Sequence, residues 1–547
     1  MSNVDAPEID RVPRWRTIVR WTVTSLAGLL VLFLLVAPSR IGHLTPLAFL
    51  RIPLEALVVV AVVLVLPERR RRLGAIIAGV ILGVLGLLKI VDMGFSAVLD
   101  RPFDPLGDWS FLDAAVVYLT KSSGRAVGIG AVVGAVVLAV ALLVLVTLAV
   151  LRLSRLVAAH RGAATRTVAA LAVVWVACAV VGVRVGPDEP VAARTSVDRL
   201  LQVRAGLQDR SRFAAESAVD SFRGRSSDLL TALRGKDVII AFVESYGRVA
   251  LDDPVIAPQV SAVLDDGTRR LKAAGFESRS GFLTSPTAGG GSWLAQATLL
   301  SGLWVDNQQR FRTLMGTDHL TLNGAFRRAG WQTVGIMPGV IQDWPEAKFY
   351  EFDRLYAAKD LGYRGPNFSF ATTPDQYALS FFQRTERAKP GHTPVMAEIP
   401  LISSHAPWAP VPPFLDWDAI GDGSVYQATP GAGDPADIVL RRDRARVRND
   451  YANAIGYSLK SLISYVESYG DDNLVVVFLG DHQPAPVVAG TGASRDVPIT
   501  IVARDPAVLD RIAGWGWQDG LRPAAQSPVW RMDTFRDRFL TAFGPTG

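Results

Sequence analysis

The sequence predicts a multi-span membrane domain of five α-helices followed by an α/β domain with a mostly parallel central sheet. Three observations carry this. Half of the 547 residues are hydrophobic, and that excess lies in the first third of the chain. Five apolar runs there are each near the ~20 residues a bilayer requires. From Lys236 onward, short β-branched runs alternate with helical stretches, the pattern of strands buried on both faces. The expected division is 1–186 for the membrane part, 187–235 for a helical linker and 236–547 for the α/β domain.

The apolar runs are Trp21–Ala37, Leu50–Leu66, Gly74–Val91, Val127–Leu151 and Val168–Val185. The first has the basic front and apolar centre of a signal peptide, but four more spans follow, so it reads as an anchor. Arg11, Arg14, Arg16 and Arg20 precede it, Arg69 to Arg72 separate spans two and three, and Arg152, Arg155, Arg161 and Arg166 separate spans four and five. The alternate loops carry fewer positive charges. The positive-inside rule then puts the N-terminus in the cytoplasm, and an odd number of spans puts everything after Val185 outside.

Two pairs of ionisable residues, Arg51 with Glu55 and Lys89 with Asp92, have spacings that bring them onto one helix face. They lie near the expected outer ends, where snorkelling to the interface accounts for them without a transport path. The loop Met93–Arg125 is too polar to span and is expected to lie against the outer surface, under the soluble domain. Residues 187–235 have mixed charge and helical periodicity and predict one or two helices along a surface. Pro430–Asp437, "PGAGDPAD", is a surface loop by composition.

The net charge of +6 is modest, and the arginines cluster beside apolar runs. That points to membrane topology and not to a nucleic-acid partner. The one cysteine, Cys178, excludes an intrachain disulfide framework and a Cys-based metal site.

In the α/β part the expected strands are "DVIIAFVES", "WQTVGIMP", "PVMAEIPLISSH", "NLVVVFLGDH" and "PITIVARD", with helices at Ala257–Ala274 and Asn449–Tyr469. Sites in such sheets form beyond the carboxyl ends of strands. Glu244 ends the first run, His405 follows the third, and Asp481 and His482 end the fourth. Two carboxylates and an imidazole, with a Ser oxygen, make a four-ligand site for a divalent cation such as Zn²⁺ or Mn²⁺.

Ser292 fits the fourth place. It follows three glycines and precedes the helix-like "WLAQATLLSG". Small neighbours let a backbone approach a metal or phosphate. A Ser there would also cap the helix, whose N-terminus favours an anion. A metal beside its Oγ would make it nucleophilic at neutral pH. The competing hydroxyls are Thr284, Ser285 and Thr287. His405, in "SSHAPW", is placed to bind the transferred group or to protonate a leaving group. His319 and His392 lie in polar, loop-like settings and carry no such argument.

These residues resemble a known group. "VESYG", "GGSWLAQATLLSG", "SSHAPW" and "LGDHQP" are together similar to the motifs of lipoteichoic acid synthase-type membrane phosphotransferases, within the alkaline phosphatase/sulfatase superfamily. The resemblance covers about Lys236–Phe543 and implies a sulfatase/alkaline phosphatase-like fold. It implies that Glu244, Ser292, Asp481 and His482 bind one divalent metal ion (Mn²⁺, Zn²⁺ or Mg²⁺) and that His405 touches the substrate phosphate. Two departures narrow it. Sulfatases carry a Cys or Ser followed by x-Pro-Ser-Arg, whereas Ser292 is followed by Trp293, Leu294, Ala295 and Gln296. In "GIMPGVIQDWPEAKFY", Trp344 is a candidate substrate contact, but Met337 and Glu346 stand where a His and an Arg would bind glycerol phosphate.

The implied enzyme sits in a bacterial plasma membrane with its catalytic domain extracytoplasmic. It moves a phospho-headgroup, such as phosphoglycerol or phosphoethanolamine, from a phospholipid or lipid-linked donor to an envelope glycan or lipid. The transfer runs through a phospho-Ser intermediate. The alternatives are a phosphodiester or sulfate ester hydrolase with the same site, and a non-catalytic envelope scaffold.

Overall fold

The structure is a computed structural model that describes residues 14–50, 53–181, 192–225, 228–368, 370–430 and 443–545. Arg51, residues 182–191 and residues 431–442 lie outside the described residues, and with them the Arg51–Glu55 pairing, the end of the fifth span and most of the Pro430–Asp437 loop. Two compact units emerge. The first comprises Met1–Ser96, Arg101–Asp104 and Ala114–Ala205, and the second Ala97–Asp100, Pro105–Asp113 and Gly206–Gly547.

The first unit is helical: α1 (Arg14–Val36), α2 (Leu54–Val65), most of α3 (Glu68–Leu99), most of α4 (Trp109–Ser123), α5 (Arg125–Ala159), α6 (Arg161–Val181) and most of α7 (Ala192–Ser217). Five helical segments among the described residues are long and apolar enough to cross a membrane: Arg14–Val36, Pro46–Val65, Glu68–Leu99, Arg125–Ala159 and Arg161–Cys178. At 32 and 35 residues, α3 and α5 outrun a ~30 Å hydrocarbon core at 1.5 Å per residue. Their arginine-bearing ends continue the helix past the apolar run. At 15 residues α4 is too short to span.

Lys89 departs from the snorkelling expectation. Its side chain is buried, and its Nζ donates to the carbonyls of Leu34 at 2.9 Å and Ala37 at 2.8 Å. These carbonyls belong to the last turn of α1 and the residue just past it. A helix end leaves such oxygens without helical partners, and its dipole favours a cation. Asp92, also buried, accepts from the backbone N–H of Phe103 at 3.0 Å. Both groups are held inward.

The second unit carries a nine-stranded mixed sheet. Its strands are β1 (Asp237–Val243), β2 (Glu277–Thr284), β3 (Gln332–Met337), β4 (Arg354–Ala357), β5 (Val395–Leu401), β6 (Leu474–Gly480), β7 (Asp496–Ala503), β8 (Gln518–Asp519) and β9 (Val529–Arg531). The order is β4-β3-β5-β1-β6-β7-β2-β8, with β9 also on β2. The run β4-β3-β5-β1-β6 is parallel, and β7 is antiparallel to both neighbours. All five expected strands form. β2 was not among them, because Glu277, Ser278, Arg279, Ser280 and Gly281 lack the β-branched character of a buried strand.

The sheet divides two cores. On one face the helices Ala257–Ala273 and Arg444–Tyr469 bury Val260, Leu264, Tyr451, Ile455 and Leu459. On the other, Ser292–Ser301 and Phe535–Ala542 bury Leu294, Leu299, Phe535 and Phe539.

One buried carboxyl in this core stands apart from the site. Glu398, in the middle of β5, accepts from Asn323 Nδ2 at 2.9 Å, while its Oε1 has no partner among the described residues. Burial pushes it up to about 7, against an ordinary 4.5. It therefore stays protonated on folding, and its contribution is complete below pH ~4.5 and is lost as pH rises through ~7. Glu398→Gln should remove that loss, a gain of about 3 kcal/mol in alkaline buffer and little change in acid. Thermal melting of wild type and variant across pH ~5 to ~9 measures it, and parallel profiles would contradict it.

Candidate active site

Register creates the site. β1 and β6 run side by side with Val243 opposite Gly480. The next residue of each, Glu244 and Asp481, therefore leaves the sheet beside the other. Side chains alternate along a strand, so both take the face of Ile240, Phe242, Val477 and Leu479. The Ser292–Ser301 helix packs on that same face.

Ligand atoms of Glu244, Asp481 and His482 lie within 4.8 Å of one another, and all three residues are buried. Ser292 Oγ donates to Glu244 Oε2 at 2.9 Å and lies 3.3 Å from His482 Nε2. Backbone and side-chain groups orient each donor. Asp481 Oδ1 accepts from the N–H of Ser245 at 2.8 Å and of His482 at 2.7 Å, which leaves Oδ2 toward His482 Nε2 at 3.6 Å. His482 Nδ1 donates to the carbonyl of Gln483 at 2.9 Å, so Nε2 is the ring nitrogen that faces the cluster. Ser245 Oγ donates to Glu244 Oε1 at 2.9 Å.

The electrostatics are those of a site built for a cation. Burial pushes the Glu244 carboxyl up, but the positive charges of His482 and His405 outweigh it and hold it well below the usual range. Burial together with the Glu244 charge pushes Asp481 up to about 7. Burial lowers His482, yet Asp481 and Glu244 overcome this and raise it to about 9. The group thus retains protons to offset two carboxylates that water cannot solvate. A divalent cation would take over that role, and an oxygen and imidazole donor set suits Zn²⁺ or Mn²⁺.

Ser292 is the first residue of its helix. The preceding Gly291, left-handed at φ 83°, is the N-cap, and no side chain caps the helix. The expected cap role of Ser292 is therefore not the one its hydroxyl performs. The competing hydroxyls are committed elsewhere. Thr284 Oγ1 donates to Asp496 Oδ1, Ser285 Oγ to the carbonyl of Asp481, and Thr287 Oγ1 to the carbonyl of Gly290.

His405 stands apart from the three-residue cluster. Its Nδ1 engages the carbonyl of Ala406 at 2.7 Å, its ring lies 4.7 Å from that of Phe370, and its charge reaches Glu244. Trp344 stacks with Tyr350 at 5.4 Å and Phe352 at 6.4 Å, against the core. His319 is buried between the carbonyls of Ser217 and Ser301, and His392 bonds Asp237 at the opposite end of β1.

Several supporting residues escaped the sequence reading. Gln483 receives the N–H of Gly289 at 2.8 Å on the same carbonyl that holds His482. Ser404 Oγ donates to the carbonyl of Glu244, and Tyr451 OH to that of Ser245. Ser245, Ser404 and Gln483 sit inside the quoted motifs, which was the available signal; nothing local marked Tyr451.

Residues 262–495 match the family model described as Sulfatase. The match spans somewhat under half of the chain and includes Ser292, His405, Asp481 and His482, while Glu244 precedes it. The region 262–495 is therefore sulfatase-like. No curated protein matches the chain. Among solved structures, the lipoteichoic acid synthase LtaP from Listeria monocytogenes is 14% identical, over 62% of this chain and 80% of that one, with a TM-score of 0.35. The phosphoglycerol transferase GacH of Streptococcus pyogenes, in complex with sn-glycerol-1-phosphate, is 15% identical over 62% and 91%, also at 0.35. The C-terminal periplasmic domain of EcEptC from Escherichia coli, in complex with Zn, is 14% identical over 56% and 82%, at 0.36.

Metal binding should be visible as stability. With Mn²⁺ or Zn²⁺ at about 100 times Kd, the gain in unfolding free energy is ~2.7 kcal/mol. The melting temperature of the purified protein should rise with either ion and fall with a chelator. Asp481→Ala and His482→Ala should lose the response, and a full response in both would rule the cluster out as the metal centre.

Proposed function

We propose that this chain is a metal-dependent membrane phosphotransferase with Ser292 as its nucleophile. The observation that carries the reading is the hydroxyl of Ser292, held between Glu244 Oε2 and His482 Nε2 at the start of a ten-residue helix. Glu244, Asp481, His482 and Ser292 would hold one divalent cation, which when bound lowers the pKa of the hydroxyl and offsets phosphoryl charge.

Ser292 Oγ, its proton given up to solvent, attacks the phosphorus of a lipid-borne phosphodiester. The new Oγ–P bond forms as the P–O bond to the lipid alcohol breaks. His405 is placed to donate a proton to that departing oxygen or to hold the transferred group. The helix N-terminus favours the accumulating negative charge. In the second half, an acceptor hydroxyl on an envelope glycan or lipid attacks the phosphorus and gives its proton to His405 or to solvent, and the Oγ–P bond breaks with the electron pair on Oγ. The headgroup is of the phosphoglycerol or phosphoethanolamine kind. Trp344, partly exposed and packed beside Tyr350 and Phe352, is a candidate substrate contact.

Five membrane helices, with the arginine distribution, support an N-terminus in the cytoplasm and the α/β domain outside a bacterial plasma membrane. Such an arrangement delivers the donor by lateral diffusion.

Ser292→Ala should abolish turnover and the covalent phospho-Ser adduct while metal-induced stabilisation persists. Incubation with headgroup-labelled phospholipid, followed by mass spectrometry of the Ser292 peptide, reads both the adduct and its mass. Label transferred to a glycan or lipid marks a transferase, and release to water alone marks the hydrolase. Full activity in Ser292→Ala would remove Ser292 from the mechanism.

A further inference from the structure

The loop that carries Ser292 has little of its own to hold its shape beyond the Thr287 Oγ1 bond to the carbonyl of Gly290. Gly289, Gly290 and Gly291 stand at φ 72°, 153° and 83°. Three consecutive glycines carry no side chains to pack and lose the most freedom on ordering. Yet a nucleophile displaced by ~1 Å costs on the order of 10²-fold in rate. Something outside the loop has to fix it.

Two short segments of the same compact unit supply the contacts, Ala97–Asp100 and Pro105–Asp113. They come from the last turn of α3, the start of α4 and the connection between them. A Cβ on Gly289 would overlap the carbonyl oxygen of Val98 and lie 3.2 Å from the Cα of Leu99. A Cβ on Gly290 would lie 3.2 Å from Leu99 Cδ2, and one on Gly291 3.7 Å from Phe111 Cζ. Phe111 also packs its ring against Trp293, the residue after the nucleophile, with centroids 5.0 Å apart. From the other side the loop is pinned by the Gly289 N–H to the Gln483 carbonyl. The wall itself is tied to the domain, since Asp100 Oδ2 accepts from Gly492 N–H at 2.7 Å. The sequence reading took the glycines as space for a metal or phosphate. At Gly289 and Gly290 that space is filled by the end of α3.

We propose that Leu99 and Phe111 are positioning residues of the active site: they clamp the Gly289–Gly291 loop and Trp293 so that Ser292 Oγ stays aligned with Glu244 and His482. The inference rests on the reading of Ser292 as nucleophile for its kinetic consequence, but the clamp itself is a structural claim that can be read without turnover. It makes the segments Ala97–Asp100 and Pro105–Asp113 part of the catalytic apparatus.

The test uses the full chain, purified in detergent with Mn²⁺, as wild type, Leu99→Ala, Phe111→Ala, Phe111→Leu and Ser292→Ala. Hydrogen exchange followed by mass spectrometry reads the peptide around Gly289–Ser292. Bis(p-nitrophenyl) phosphate, a soluble phosphodiester, reads kcat and KM. Both alanine variants should exchange faster at Gly289–Ser292 with the rest of the domain unchanged. Their kcat should fall roughly 10-fold or more with KM within about twofold and metal content intact, and Phe111→Leu should recover most of the rate. Exchange and kcat both equal to wild type would overturn the clamp. So would faster exchange throughout the domain with loss of metal, since that is a general folding role. If exchange responds locally but Ser292→Ala retains turnover, the clamp stands and the nucleophile assignment fails.

Discussion

Two carboxylates forced together out of water are the constraint on which the rest of the site depends. The pairing of β1 with β6 sets Glu244 beside Asp481, and both are buried. Neither can be solvated, and their mutual repulsion is strong in a low-dielectric interior. Everything nearby answers this. Two backbone N–H groups converge on Asp481, Ser245 donates to Glu244, and His482 brings a positive charge. The Ser292 hydroxyl completes the circle as a donor. A site so arranged is held in readiness for a cation, because each of these partial compensations can be replaced by one ion.

The position of Ser292 follows from the same geometry. The face that receives Glu244 and Asp481 is the face on which the Ser292–Ser301 helix buries Leu294, Ala297 and Leu299. Helix packing and strand parity thereby set the Ser292 end of the helix over the acid pair. The glycine loop before it then has to be fixed from outside, and the ends of α3 and α4 do this in an interval of the chain remote in sequence.

Much of this was legible in the sequence, for identifiable reasons. Long apolar runs and continuous β-branched strands are strong local signals, so the five spans and the five central strands were readable. Glu244, Asp481 and His482 were readable because each directly follows such a strand. β2 was not, because its polar residues are tolerated by pairing and not by burial pattern. The inward hold on Lys89 was not either, since its partners are carbonyls fifty residues away. The clamp of Leu99 and Phe111 on the glycine loop escaped for the same reason: a long-range contact leaves no periodicity.

Lys89 has a consequence for how the chain is made. A lysine within an apolar span is unfavourable in the bilayer unless its charge finds a partner. Here its charge is met by the carbonyls of Leu34 and Ala37, at the end of α1. The third span is therefore poorly suited to leave the insertion machinery by itself. It becomes comfortable in lipid once the first span is beside it, so these two helices have to find each other across the intervening second span. The order of synthesis and the order of assembly differ, and a single buried ammonium sets that difference.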